Sequence, residues 1–218
     1  MRITRILAIV LGLTALLAMT AVASASAALP EQSPAEGTFE VSSKAGTFET
    51  VGKEKVECTG AKGSGKLTGA KTDTSKVTFE GCKAKDIISV SCSTKGAKSG
   101  DIETEIDSEL VWKSKAKEEV LEKLTLAKEV EIECTSLVKI KVKGTTLCPV
   151  SPVNKKTKTV TLACTQSGGK QNPEEYENEK GEKVKAITES SKNGGKFEQS
   201  GLQSEETLTL STEGEIKA

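Results

Sequence analysis

The chain contains no histidine. A Ser-His-acid triad therefore cannot be assembled, Cys-His nucleophilic chemistry is excluded for the same reason, and a mixed Cys/His zinc site lacks its imidazole. Aromatic side chains are scarce, with four Phe, one Trp and one Tyr. That is few for a sugar-binding face or a ligand pocket built on flat rings. Proline is limited to Pro30, Pro34, Pro149, Pro152 and Pro173. Neither sign of charge prevails, because 31 basic and 31 acidic side chains cancel. This excludes the basic footprint of a nucleic-acid binder.

The N-terminal region carries an export pattern. Arg2 and Arg5 precede an apolar stretch at 6–19, broken only by Gly12 and Thr14, and small residues fill 22–28. Basic, then apolar, then A-x-A is the order of a secretory signal peptide. Residues 1–27 are read as that signal, with cleavage before Ala28 after Ala25-Ser26-Ala27 and a second option after Ala23-Ser24-Ala25. The apolar stretch is about fourteen residues, short of the ~20 that span a bilayer. No cysteine follows it, so a lipid-anchored start is not expected, and the C-terminus is polar. The expectation is a soluble protein of about 190 residues, secreted or on the exterior of the cell envelope. It has no membrane span after cleavage, no nucleic-acid partner and an unidentified extracellular or envelope partner.

All six cysteines, Cys58, Cys82, Cys92, Cys134, Cys148 and Cys164, lie in the exported part, and no C-x-x-C spacing occurs. In an oxidising compartment six scattered cysteines make three disulfides. Fifteen pairings are formally possible. Sequence proximity suggests Cys82–Cys92 and a Cys148–Cys164 bridge around the hairpin at 149–158, leaving Cys58–Cys134. A rival pairing joins Cys58 to Cys82 and Cys134 to Cys164. It follows a weak internal echo, in which Val56-Glu57-Cys58-Thr59 resembles Ile132-Glu133-Cys134-Thr135, each leading to a later strand that ends in cysteine.

Residues 28–36 read as a flexible leader. Beyond it short period-2 runs recur at 47–51, 55–59, 76–80, 88–92, 102–111, 130–134, 138–143, 157–164, 184–188 and 207–211. These are strand signals, rich in Thr, Val and Ile. In 130–143 the apolar residues share one parity and Glu131, Glu133, Lys139 and Lys141 share the other. A long strand fits, and is slightly favoured by the lack of Gly; a hairpin turning at 135–137 also fits. Asp101, Glu103, Glu105, Asp107 and Glu109 form an acidic ladder opposite Ile102, Ile106 and Leu110. A basic ladder is its natural neighbour. Residues 114–126 read partly as helix, from the spacing of Val120, Leu121 and Leu124, or as a strand beside a charged loop. Residues 166–182 and 189–196 read as loops. Trp112 is expected in the core and Tyr176 on the surface.

The run Gly60-Ala-Lys-Gly-Ser-Gly-Lys-Leu67 nearly spells a phosphate-binding loop. That loop needs a hydroxyl after the lysine and a helix beyond it; Leu67 supplies neither, and a flexible turn is the better reading. The acidic ladder lacks the converging loop oxygens of a calcium site. Paired carboxylates remain a formal route to hydrolysis.

Two blocks of residues carry a family resemblance. One is Phe79-Glu-Gly-Cys82, Cys92-Ser-Thr-Lys-Gly and Gly100-Asp-Ile-Glu-Thr104; the other is Gly194-Gly-Lys-Phe-Glu-Gln-Ser-Gly-Leu202 with Glu215-Ile216. Over nearly all of the mature chain they resemble a large paralogous group of uncharacterised secreted β proteins of soil actinobacteria. The resemblance brings no activity, ligand or catalytic residue. Its pattern centres on positions matching Cys58, Cys82, Cys92 and Cys134, so Cys148 and Cys164 stand as an addition, which supports their pairing with each other.

The fold expected is all-β: a single antiparallel, disulfide-stapled sandwich or barrel-like domain over 37–218, with two related β-units as a possible substructure. No cofactor, metal or catalytic residue is assigned. The expected role is non-catalytic, in binding or structure, with a carboxylate-based extracellular hydrolase as the alternative.

Overall fold

The computed structural model describes residues 28–85, 89–135 and 138–218. The expected signal peptide at 1–27 lies outside the described residues. The strands, in chain order, are β1 (Glu31–Ser33), β2 (Gly37–Ser43), β3 (Gly46–Thr50), β4 (Lys55–Cys58), β5 (Gly60–Leu67) and β6 (Thr72–Glu80). Then come β7 (Lys83–Ala84), β8 (Val90–Ser91), β9 (Ser93–Thr94), β10 (Ile102–Ser114), β11 (Glu119–Leu126), β12 (Val130–Thr135) and β13 (Val138–Ser151). The last are β14 (Thr157–Ser167), β15 (Lys170–Asn172), β16 (Glu175–Glu177), β17 (Lys183–Lys185), β18 (Thr188–Lys192) and β19 (Glu198–Lys217). Among the described residues no helix is long and apolar enough to cross a membrane.

Eight strands close on themselves in the order β2-β5-β6-β10-β11-β13-β14-β19 and back to β2, every pair antiparallel. The all-β expectation is met by a barrel, which leaves this ring no exposed strand edge. Below it the same wall continues as a second ladder, β9-β12-β13-β18-β19-β3-β4-β7-β8. The two ends of that ladder, β8 and β9, are separated along the chain by Cys92 alone. The long strands β13 and β19 run unbroken through both tiers, whereas β4 passes into β5 at Thr59 and β6 into β7 at Gly81-Cys82.

Alternation decides what fills each tier. Ile106, Leu110 and Trp112 of β10, Val160 and Leu162 of β14 and Phe39 of β2 fill the upper barrel. Val56, Ile102, Val130, Ile132, Ile140 and Val142 fill the lower tier with three of the cysteines. A third cluster, Val111, Leu121, Leu147 and Ala186, lies between the barrel wall and the segment of β16 and β17. Trp112 is core, as expected. Tyr176 is half-buried against this outer cluster, with Lys123 Nζ 5.3 Å from its ring centre, rather than simply exposed.

Several sequence expectations are corrected. The segment at 28–36 is docked, not a free leader: Leu29 and Pro30 are buried, β1 pairs with β19, and Trp112 Nε1 donates to the Ala28 carbonyl at 2.9 Å. Residues 119–126 are strand, preceded by a short 3-10 turn at Lys115–Lys117. Burial on both faces, inside the barrel and beneath β16, imitates helical spacing there. The stretch 130–143 is the hairpin, with Glu131 opposite Lys141 and Glu133 opposite Lys139. Gly60–Leu67 is barrel strand β5, not a flexible turn. The presumed loops at 166–182 and 189–196 hold β15, β16 and most of β18.

Of the cysteine pairings, Cys148–Cys164 is as expected and Cys58–Cys82 is as in the rival scheme, whereas Cys82–Cys92, Cys58–Cys134 and Cys134–Cys164 are corrected. The bridges are Cys58–Cys82, Cys92–Cys134 and Cys148–Cys164. Register explains all three. β14 runs back along β13 with Val150 opposite Leu162, which sets Cys148 opposite Cys164. In the lower tier Glu57 faces Lys83, Lys83 faces Ser91, and Ser93 faces Glu133. One residue along, Cys58, Cys82, Cys92 and Cys134 stand in a single row across neighbouring strand positions. A Cys82–Cys92 bridge would join the middle pair and strand the outer two on positions that are not neighbours. Pairing the row from its ends inward satisfies all four.

Candidate functional site

The barrel interior holds three acids whose position departs from the usual placement of charge at the surface. Asp73 (β6) is 6 % exposed, Glu122 (β11) 5 % and Glu206 (β19) 4 %. Parity places them there. Asp73 alternates with Ser75 and Val77, Glu122 with Val120 and Leu124, and Glu206 with Ser204 and Leu208. Sequence reading missed all three. The usable signal was that parity, since a strand reading of 119–126 puts Glu122 in line with Val120 and Leu124.

Asp73 and Glu122 interact directly, and Ser108 stands opposite Asp73 across the β6–β10 ladder. Burial pushes the Glu122 carboxyl well above the ordinary range, and the neighbouring Asp73 charge adds to that effect. Burial also raises Asp73, against the opposing hydrogen bonds from Glu122 and Ser108. These directions favour a proton on Glu122 turned toward Asp73, because two like charges in contact cannot both ionise cheaply. Narrow gaps border the pair, of about 30 Å³ toward Leu210 and Ile216 and about 10 Å³ toward Glu206. Glycoside hydrolysis separates its carboxyls by about 5–9.5 Å to admit a sugar and a nucleophile. Two carboxyls that interact directly, with such narrow gaps beside them, leave no room for either.

A larger space lies at the waist, where the two tiers meet. It measures about 110 Å³ and is walled mainly by apolar side chains, among them Phe48, Phe79, Ile102, Ile106, Leu124, Leu126 and Leu202. Its polar lining is Thr104, Thr146, Thr188 and Glu206. Burial raises the Glu206 carboxyl, and the Ser204 hydroxyl, 3.2 Å from Oε1, acts in the opposite sense.

Outside the wall lies a polar cleft of about 390 Å³. Lys76, Lys95, Lys128, Glu103, Glu105, Glu129 and Glu131 line it. Glu105 joins Lys76 at 3.1 Å and Lys128 at 3.3 Å. Those lysines hold its carboxyl below the ordinary range, the hydrogen bond from Lys76 foremost. The acidic ladder of β10 thus has basic neighbours on both sides, including Lys123 against Glu109. Thr104 and Val130 line both the outer cleft and the waist cavity, so the wall between them is one residue thick there.

The cleft exists because the ladder lapses there. β10 pairs with β6 from Ile102 to Glu109, but its pairing with β11 begins only at Ile106 opposite Leu126. Below that point β12 pairs with β9 and β13 instead. Across the gap run Ala127 N–H to the Glu105 carbonyl at 2.9 Å, Glu103 N–H to Thr94 Oγ1 at 3.0 Å and Thr94 N–H to the Asp101 carbonyl at 3.1 Å.

The six cysteines assigned from sequence are all bridged and none is a free nucleophile. Among the described residues no three Cys, Asp or Glu side chains converge as a metal centre. Three disulfides in an all-β chain suit an oxidising, extracellular setting. No family model, curated protein or solved structure matches the chain.

Proposed function

We propose that this is a non-catalytic secreted or envelope-associated protein with a binding or structural role. The observation that carries the reading is the condition of its converging acids. Asp73 and Glu122 satisfy each other inside the barrel at 6 % and 5 % exposure, beside gaps too small for a sugar ring. Such a pair uses its proton to stay buried. The exterior points the same way: the ladders of β10, β12 and β13 are matched in charge, as in Lys139–Glu133 at 2.6 Å and Lys141–Glu129 at 2.8 Å. A self-compensated surface of this kind suits a durable extracellular scaffold more than electrostatic capture of a polymer.

The proton-sharing pair also favours the competing reading, a carboxylate hydrolase, because such dyads activate water in some enzymes. The two readings separate in one experiment. The secreted protein is screened against cell-wall and plant polysaccharides beside a pull-down from envelope extracts. The expected result is no turnover and a specifically retained partner. Turnover that vanishes in Asp73→Asn or Glu122→Gln, with the fold intact, overturns the proposal and establishes the hydrolase.

A further inference from the structure

We propose that the waist cavity binds a small, largely apolar molecule carrying one hydrogen-bonding group, which passes the Thr104–Val130 wall and sets that group against Glu206. The inference rests on the non-catalytic reading above and specifies what is bound.

The ring geometry gives the cavity a direction. Counting either way round the eight strands, β19 stands four places from β10. Glu206 therefore faces the breach in the wall from across the barrel. The path runs from a polar cleft, through two short side chains, across an apolar chamber, to one carboxyl.

The hydrogen-bond inventory makes that carboxyl the receptor. Thr104 Oγ1 donates to the Val77 carbonyl at 3.1 Å. Thr146 and Thr188 share a bond at 2.8 Å, and Thr188 also donates to Gln171 Oε1 at 3.2 Å. The threonine protons are thus all committed. Among the described residues Glu206 has one partner, Ser204, on Oε1. A buried carboxyl has capacity for several bonds, so Glu206 keeps a free oxygen on an apolar chamber. Water is poorly served there, since a buried water needs about three polar partners.

Size sets the class of ligand. An apolar cavity of ~150 Å³ takes up benzene, and the chamber measures about 110 Å³. A single ring, or a branched alcohol or amine of similar bulk, is the upper limit. A mostly apolar pocket with one polar anchor is the usual design of a small-molecule site.

The test uses the oxidised mature protein and a matched pair, benzene and phenol, titrated by NMR with the methyl groups of Ile102, Leu124, Leu126 and Val130 as reporters. Both are expected to bind saturably at these methyls, phenol about three- to tenfold more tightly, the value of one net hydrogen bond. Glu206→Leu is expected to keep benzene and remove the phenol preference, and Val130→Phe to weaken both. Failure of either probe to shift these methyls saturably in the wild-type protein overturns the proposal whether or not the variants fold. So does a phenol preference that survives Glu206→Leu. Absence of binding leaves the non-catalytic reading standing, whereas turnover sensitive to Asp73→Asn removes that reading and leaves the NMR result to judge the cavity.

Discussion

At the scale of single residues, the glycines of β5 show how a motif can mislead. Gly60, Gly63 and Gly65 give this stretch the look of a phosphate loop, yet they answer to packing. A Cβ on Gly65 would stand 2.1 Å from Cζ of Phe39, and one on Gly63 would stand 2.3 Å from the Lys76 carbonyl. Phe39 is core, and β5 must pass close beneath its ring. Glycine inside a strand commonly marks such an approach. Gly65→Ala is therefore expected to destabilise the fold by about 1–3 kcal/mol, the cost of overpacking a filled core. Urea unfolding of the oxidised protein measures this, and a change within 0.5 kcal/mol, the ordinary range for surface substitutions, would show that the ring yields freely. Exposed ion pairs such as Lys62–Glu80 at 3.2 Å carry much less, because water screens them.

At the scale of elements, the cysteine row predicts both connectivity and rank. Peptide mapping of native protein is expected to return Cys58–Cys82, Cys92–Cys134 and Cys148–Cys164 with no free thiol. The Cys92–Cys134 bridge spans 42 residues and Cys148–Cys164 spans 16. Loop-entropy scaling then makes their removal cost about 4 and about 3 kcal/mol, respectively. Stability of the paired Cys-to-Ala variants by denaturant melt checks the order, and a reversed rank would mean that native-state packing, not chain entropy, governs. Much of this level was legible in the chain. The alternating runs 76–80, 102–111, 138–143 and 157–164 lie inside β6, β10, β13 and β14. In the lower tier the internal echo offered Cys58–Cys82 but nothing in the chain offered Cys92–Cys134, because register between strands distant in sequence leaves no local trace. The hairpin at 130–143 was legible as a charge match but indistinguishable by parity from a straight strand. The buried acids were hidden for another reason. In a chain so rich in Glu, the parity mates of Glu122 and Glu206 become informative only once their strands are known to face inward.

At the scale of the molecule, the buried acids and the surface ladders respond to pH in opposite senses. Glu122, Asp73 and Glu206 all have raised folded pKa values, burial being the first cause of each. Above the ordinary carboxylate range of about 4, the unfolded chain has released protons that the folded barrel still holds. Their contribution is thus full below that range and declines as pH rises toward the folded values. Glu105 and Glu133 are lowered, chiefly by hydrogen bonds from Lys76 and Lys139. Their contribution is present above the ordinary range and lost as pH falls, but these groups are exposed and screened, so it is small. The interior should dominate between pH 5 and 8. Thermal melts of the oxidised protein are expected to show a higher Tm at pH 5 than at pH 8. Glu122→Gln keeps the shape and the donor toward Asp73 while removing the charge that must be suppressed. It should leave the melt at pH 5 nearly unchanged and raise Tm at pH 8 by at least about 2 °C, the shift that ~1 kcal/mol gives a domain of this size. A wild-type Tm that climbs from pH 5 to pH 8, or a Glu122→Gln protein less stable than wild type at pH 8, would mean that the pair is hydrated and ionised. The tightly packed surroundings of the Asp73–Glu122 pair, on which the non-catalytic reading depends, would then have to be reconsidered as an open, titrating site.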